Sequence, residues 1–446
     1  MTALPPLRPP RDDAGRFVNW SRTVHSAPAA WQEPRDLEGI VTCVRTAAAR
    51  GQKLRVVGAG HSWSAAAAPA DGQVALSLDR CAGILEQPDV RTVRVAGGTR
   101  LRDLSVALGA RGLVLPIVGS IDHQSIAGAI ATGTHGSSLT HGNLASLVEA
   151  MVLVDGRGRV VELRTGDPRL EGARVHLGAL GVVAEVTLRV EPAFRLAEHI
   201  ERTPIDQVVG ALEAIARSAE YVKVWWLPHT RHAHVYRYTR TDERPSRFPS
   251  ARALRRFDER VVHGHAFPAV VALEARLPAS VPLLNRALAR TFERARRVGA
   301  SDLMLRVPMP FRHRETEAAV PLAGGVADEA FFRLVRAIDD AHLAVNMPVE
   351  LRFVRGDAGW LSPAQGGDAC QLGAYAGRLA DTDRFFATFW RELDALGARP
   401  HWGKELAHGA ATLRARYPRW DDFAALRTAL DPDGTFATPW QARTLG

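Results

Sequence analysis

Apolar positions set out a succession of short elements over the first half of the chain. From Asp36 to Arg50 they return at helical spacing and Gly51 stops the run, which predicts a helix. Leu54-Arg-Val-Val57 predicts a strand that runs directly into Gly58-Ala59-Gly60-His61-Ser62-Trp63. Val74–Leu78 and Thr92–Ala96 alternate as strands, and Leu101–Ala110 predicts a second helix before Leu113-Val-Leu-Pro116. Met151–Val154 and Val160–Leu163 flank the turn Asp155-Gly-Arg-Gly158, the pattern of a β-hairpin. Val182–Leu188 adds another strand. Strands outnumber helices, so the expected class is α+β rather than a doubly wound sheet.

After Glu191-Pro192 the pattern changes. Val222–Tyr238 carries strands, Arg-rich stretches predict long helices, and Arg290, Arg294, Arg296 and Arg297 have the spacing of a solvent-facing helix. Val307–Gly325 is rich in Pro and Gly, Val349–Val354 predicts a strand, and Tyr417–Trp440 predicts an amphipathic helix with a turn at Asp431-Pro-Asp-Gly434. At 446 residues the chain exceeds what one core fills, and two domains are expected.

Charge changes this picture little. A formal charge of +9 raises nucleic-acid binding, but the arginines are scattered and the lysines are only Lys53, Lys223 and Lys404. That bias reads as GC-rich codon usage, so no nucleic-acid partner is expected. No apolar run approaches the roughly 18 residues of a membrane span, and the N-terminus lacks a signal-peptide core and reads as a flexible arm. Cys43, Cys81 and Cys370 read as reduced thiols, and the expected location is cytoplasmic.

Four stretches carry candidate chemistry. Gly58-Ala59-Gly60 after a strand lets backbone N–H groups approach phosphate, yet Trp63 stands where a dinucleotide loop of the Rossmann type needs its third glycine. Val118–Gly136 is a loop dense in Gly, Ser and Thr, anchored by Ile121, Ile126 and Ile130, and suits a diphosphate and a flat heterocycle. Glu350 and Arg352, two apart on a strand, share one face and matter if that face lines a cavity. In His401-Trp-Gly-Lys404, Lys404 offers a compact charge suited to a hydroxyl or carbonyl. His229, His232 and His234 could be weighed as a metal set, but hydrogen-bonded strand histidines are expected and no metal site is assigned.

Taken in order, Phe17–Trp20, Pro34–Leu37, Gly58–Trp63, Thr132–Gly136, Trp226–Thr230, Glu317–Pro321, Glu350–Arg352, Pro400–Lys404 and Leu430–Phe436 resemble the sugar-alcohol and aldonolactone oxidases of the vanillyl-alcohol-oxidase flavoprotein superfamily. The resemblance covers nearly the whole chain. It implies an FAD-binding domain at 1–194, made of α+β subdomains at 34–90 and 91–194. An α+β cap domain with a large antiparallel sheet follows at 195–410, and 411–446 return to the FAD domain. The implied activity is hydride transfer to flavin N5 from a carbinol of a polyol or aldono-1,4-lactone, with O2 reduced to H2O2. A same-fold dehydrogenase using a quinone or cytochrome, or an oxidase of a non-sugar alcohol, is the alternative.

The resemblance also assigns residues. His61 corresponds to the histidine many members bond to the flavin C8 methyl. Val56, Val57, Gly58, Ala59, Gly60, Ser62 and Trp63, with Ser125, Gly128, Thr132, Gly133, Thr134 and His135, would wrap the diphosphate and ring, and Val182 and Val183 would lie near the adenosine. Ser120 would face the reacting side of the flavin with His401 beside it, while Glu350, Arg352 and Lys404 hold substrate hydroxyls. Gly119 matches an oxygen-gating position. Three departures stand out: Trp63 replaces a common phenylalanine, Tyr375 lies roughly where alditol-oxidising relatives carry a substrate-contacting threonine, and Val307–Gly325 looks rearranged. The substrate itself stays open among alditols, aldonolactones and other carbinols.

Overall fold

The computed structural model describes residues 10–246, 267–292, 296–307, 312–377 and 381–446. Most of the expected N-terminal arm, Arg294 and Pro308–Phe311 lie outside them. The first helix, Leu37–Ala49, is capped by Asp36, whose carboxylate accepts from the Gly39 N–H. Its Ile40, Val44 and Ala47 pack on Leu54, Val74, Leu76 and Phe436. That helix links the edge of a three-stranded parallel sheet, ordered Ala30–Gln32, Val74–Ser77, Leu54–Val57.

A second, antiparallel sheet runs in the order Val160–Arg164, Val148–Val154, Val182–Arg189, Thr92–Ala96, Ile84–Glu86. Leu101, Leu104 and Leu108 of the helix Leu101–Gly109 pack with Met151, Val186 and Leu188 from it. The stretch Val118–Gly136, read as a loop, contains a short helix at Ile126–Ala131. Ser125 caps it, and the Ile126 and Ala127 N–H groups donate to Thr99 and Gly97 carbonyls.

The third sheet is antiparallel and has the order Arg297–Ala300, Arg195–Pro204, His232–Thr241, Tyr221–Trp226, Val349–Val354, Ala369–Ala376, Arg314–Pro321, Arg399–Pro400. Strand alternation gives it two different faces. Val224, Trp226, Leu351, Leu372 and Val320 form a core with the helices Val326–Asp340 and Thr382–Asp394. The other face carries Lys223, Trp225, Glu315, Glu317, Glu350, Arg352 and Tyr375. Register places Trp225 beside Glu350, and both Glu350 and Glu317 beside Gly373 on the strand between them. Two carboxylates therefore flank a position with no side chain.

Two expectations need correction. The arginine run does not form one helix: Arg290 lies in a single turn, Arg290–Phe292, whereas Arg297 opens an edge strand and donates to Glu198 at 2.7 Å. Pairing of Val298 and Gly299 with Ala197 and Leu196 overrides the helical spacing. Val307–Gly325 is not merely a Pro- and Gly-rich connection, because Arg314–Pro321 is a strand of the large sheet. The breakers sit only at the ends of that interval.

The final segment forms the helix Trp420–Leu430 and a turn in which Asp431 accepts from the Thr435 and Phe436 N–H groups at 2.7 and 2.9 Å. Among the described residues no helix is long and apolar enough to cross a membrane. Cys43, Cys81 and Cys370 are free.

Candidate active site

A cleft enclosing about 830 Å³ of non-protein space, part of it open to solvent, lies between the loop after Leu54–Val57 and the segment His176–Val183. Val56, Val57, Gly58, Ala59, Gly60, His61, Ser62, Ser125, Gly128, Thr132 and Val183 line it. Val182 does not; as the strand neighbour of Val183 it turns into the core under the first helix. Among the described residues, the Ala59–Ser62 N–H groups have no protein acceptor. Gly60 holds φ at 65°, and a Cβ on Gly58 would come within 2.5 Å of Ser125 Oγ. Gly133 and Thr134 lie beyond the cleft at the end of the short helix, with Gln124 donating to Thr134 Oγ1 at 2.9 Å.

The His61 loop is fastened to the 401–404 loop. Trp63 N–H donates to the Gly403 carbonyl at 2.7 Å, and Ser64 Oγ to the Trp402 carbonyl at 2.8 Å. The Trp63 indole donates to the His313 carbonyl, and its ring face lies 4.2 Å from Lys404 Nζ. His61 stacks on Trp20 with ring centres 5.5 Å apart, and His123 is 5.3 Å away.

A smaller cavity at the polar face of the large sheet is lined by Ser120, Gly136, Lys223, Tyr238, Glu350 and Arg352. Ser120, Glu350 and Arg352 thus meet. Glu350 accepts from the Trp225 indole at 2.7 Å and the Tyr375 hydroxyl at 2.6 Å, and Arg352 Nε is 3.5 Å from it. Arg352 donates to Glu317 at 2.6 Å, and His135 Nε2 is 3.1 Å from the same oxygen. Lys404 Nζ is 2.5 Å from Glu315 and 3.8 Å from Glu317. His401 accepts the Gly403 N–H on Nδ1, and its ring centre is 5.4 Å from that of His135. Gly119 backs onto the Thr134 methyl.

His229, His232 and His234 form no ligand set among the described residues, whereas ligand atoms of His135, Glu317 and His401 lie within 4.8 Å of one another. There the Arg352 guanidinium already supplies the positive charge that a metal would bring.

Two family models match the chain: an FAD binding domain over residues 28–164 and D-arabinono-1,4-lactone oxidase over residues 186–444. The chain belongs to the D-arabinono-1,4-lactone oxidase family. It is 33% identical to L-gulono-1,4-lactone dehydrogenase of Mycobacterium tuberculosis over 438 residues, 96% of this chain and 99% of that one. It is 35% identical to alditol oxidase of a Streptomyces species over 387 residues, covering 85% and 87%. Cholesterol oxidase of Brevibacterium sterolicum shares the fold, with a TM-score of 0.80 at 19% identity over 97% of this chain and 96% of that one.

As a member of this family the protein is an FAD-dependent oxidoreductase, and its cleft fits that cofactor. The Ala59–Ser62 N–H groups, which have no protein acceptor among the described residues, are available to phosphate oxygens, and the glycines keep the wall free of Cβ atoms where Ser125 approaches. The charge network fits as well. Burial alone would raise the carboxyls of Glu315, Glu317 and Glu350. Lys404 for the first, Arg352 and His135 for the second, and Arg352 and Lys223 for the third outweigh it and hold all three below the usual range.

Sequence reasoning in this family member missed Glu315, Glu317 and Lys223, which sheet register brings to the face that carries Glu350 and Arg352. The alternation Glu315-Thr-Glu317 was a usable signal, because it repeats the shared-face spacing of Glu350 and Arg352.

Burial pushes His61, His176 and His401 down to about 3, whereas histidines of the unfolded chain protonate near pH 6.5. Below that pH the unfolded state takes up protons that the folded state refuses, so stability falls. We expect the melting temperature to decline steadily from pH 7 to pH 5. A flat profile over that range would contradict burial of these rings as neutral imidazoles.

Proposed function

We propose that the protein oxidises a carbinol carbon of an aldono-1,4-lactone or alditol, holds FAD covalently through His61, and passes electrons to O2. The observation that carries this reading is the meeting of Ser120, Glu350 and Arg352 at one cavity, next to the Lys404–Glu315 pair. The names of the relatives support the substrate class. Residues 1–194 and 411–446 would form the cofactor domain and 195–410 the cap, in an enzyme of the cytoplasm.

Bound FAD supplies the hydride acceptor. The chain's own residues do the rest. Ser120, Arg352 and Lys404 donate to substrate hydroxyls, and the two cations lower the cost of releasing the reacting hydroxyl's proton. Glu350, fixed by Trp225 and Tyr375, accepts from a neighbouring hydroxyl. Ile117, Val118 and Leu305 restrict water at the cavity. His61 is kept neutral, so a ring lone pair is available for the flavin bond. Acid precipitation should leave yellow colour in the pellet; colour wholly in the supernatant would reduce His61 to a contact.

The acceptor rests on Gly119. A Cβ there would come within 2.9 Å of the Thr134 methyl, so alanine fits only as Thr134 shifts and narrows the passage beside it. Gly119→Ala should slow reoxidation by O2 at least tenfold, on the order of 1.4 kcal/mol in barrier, with flavin reduction unchanged. Stopped-flow mixing of reduced wild-type protein with air-saturated buffer tests the reading itself. Reoxidation over minutes, accelerated by a quinone, would make the protein a dehydrogenase.

A further inference from the structure

Arg55 occupies the second position of the strand Leu54–Val57 and is 3% exposed. Its guanidinium donates to the carbonyls of Ala66, Leu177 at 2.9 Å and Gly178 at 3.1 Å. No carboxylate bonds to it among the described residues, and its Nε–H has no acceptor. Burial lowers its pKa to about 10. Beside it lies His176, 4% exposed. The His176 Nδ1 accepts the Gly178 N–H at 3.1 Å, which leaves the proton on Nε2, and Nε2 also has no acceptor. Both side chains line the large cleft together with Ala66, Leu177 and Gly178.

A buried cation without a counter-charge is strongly unfavourable, and two buried N–H donors without acceptors add to that. Carbonyl dipoles solvate the guanidinium but leave its charge uncancelled. What satisfies all three demands is an anion with several acceptor oxygens in the cleft. We infer that Arg55 and His176 bind the diphosphate of FAD and supply the charge that the glycine loop, with backbone donors alone, does not. Arg55 is then a cofactor-binding residue as well as the tie between Ala66 and the Leu177–Gly178 wall.

Equilibrium titration in a His61→Ala background, where no flavin bond can form, tests this with FAD and with riboflavin, which has the same ring and no phosphate. Arg55→Met should weaken FAD binding about a hundredfold and His176→Phe about tenfold, as loss of charge-assisted and neutral hydrogen bonds respectively implies. Riboflavin affinity should change less than twofold, and Arg55→Lys should recover most of the FAD affinity. Unchanged FAD binding in both Arg55→Met and His176→Phe would overturn the inference. So would equal losses for FAD and riboflavin with a lowered melting temperature of the ligand-free protein, since that marks a purely structural tie. Should Arg55→Met fail to fold, Arg55→Lys and His176→Phe still decide between these outcomes.

Discussion

Arg352→Met is expected to lower turnover by about 10²–10³-fold and to destabilise the fold by about 3–5 kcal/mol. Both effects come from one side chain. The guanidinium meets Glu317 at 2.6 Å and Glu350 at 3.5 Å, and both carboxylates are fully buried. Removing it leaves two buried negative charges without their main partner, which is far costlier than deleting a surface pair. The catalytic loss follows because the same group lines the cavity with Ser120. Steady-state kinetics and thermal denaturation read the two effects separately. A variant with normal melting temperature would contradict the network, and one with normal turnover would make Arg352 a structural residue only.

Lys404→Met should lower turnover by a factor of about a hundred or more. Lys404 is held on three sides, by Glu315, by Glu317 and by the Trp63 ring, so it presents a fixed charge rather than a mobile one. The stability deficit of the variant should also depend on pH. Burial and the neighbouring Glu317 push the Glu315 carboxyl up, while Lys404 and His313 pull it down; without the ammonium the balance moves upward and the group takes up a proton at higher pH than in the wild type. A neutral carboxyl is cheaper to bury, so the stability deficit relative to wild type should shrink from pH 8 to pH 5. A deficit that does not shrink over that range would mean that His313 keeps Glu315 ionised without Lys404.

The parts of this site that were legible in the sequence are those whose partners lie close in the chain or repeat a local spacing. The strand entering Gly58-Ala-Gly60 and the shared face of Glu350 and Arg352 follow from alternation and from glycine chemistry. Glu317 was hidden because its partners, His135, Arg352 and Lys404, lie far off in sequence and meet only through sheet register. Arg314–Pro321 is also poor in β-branched residues, so the strand itself was inconspicuous between its flanking breakers. The Arg297 strand shows the reverse failure, where helical spacing on one element lost to pairing with another. Trp63, noticed as a departure, has a physical role once the 401–404 loop is seen to lie over it.

In the proposed function, one cavity walled by Ser120, Glu350 and Arg352 presents a sugar-derived carbinol to FAD. Anaerobic mixing of the purified protein with an aldono-1,4-lactone or an alditol, followed in the flavin absorption band, tests it most directly. Bleaching is expected within seconds in the wild type and should be slowed by about 10²–10³-fold in Arg352→Met. A flavin band left unchanged by every lactone and polyol offered, or bleached equally fast in the variant, would contradict it.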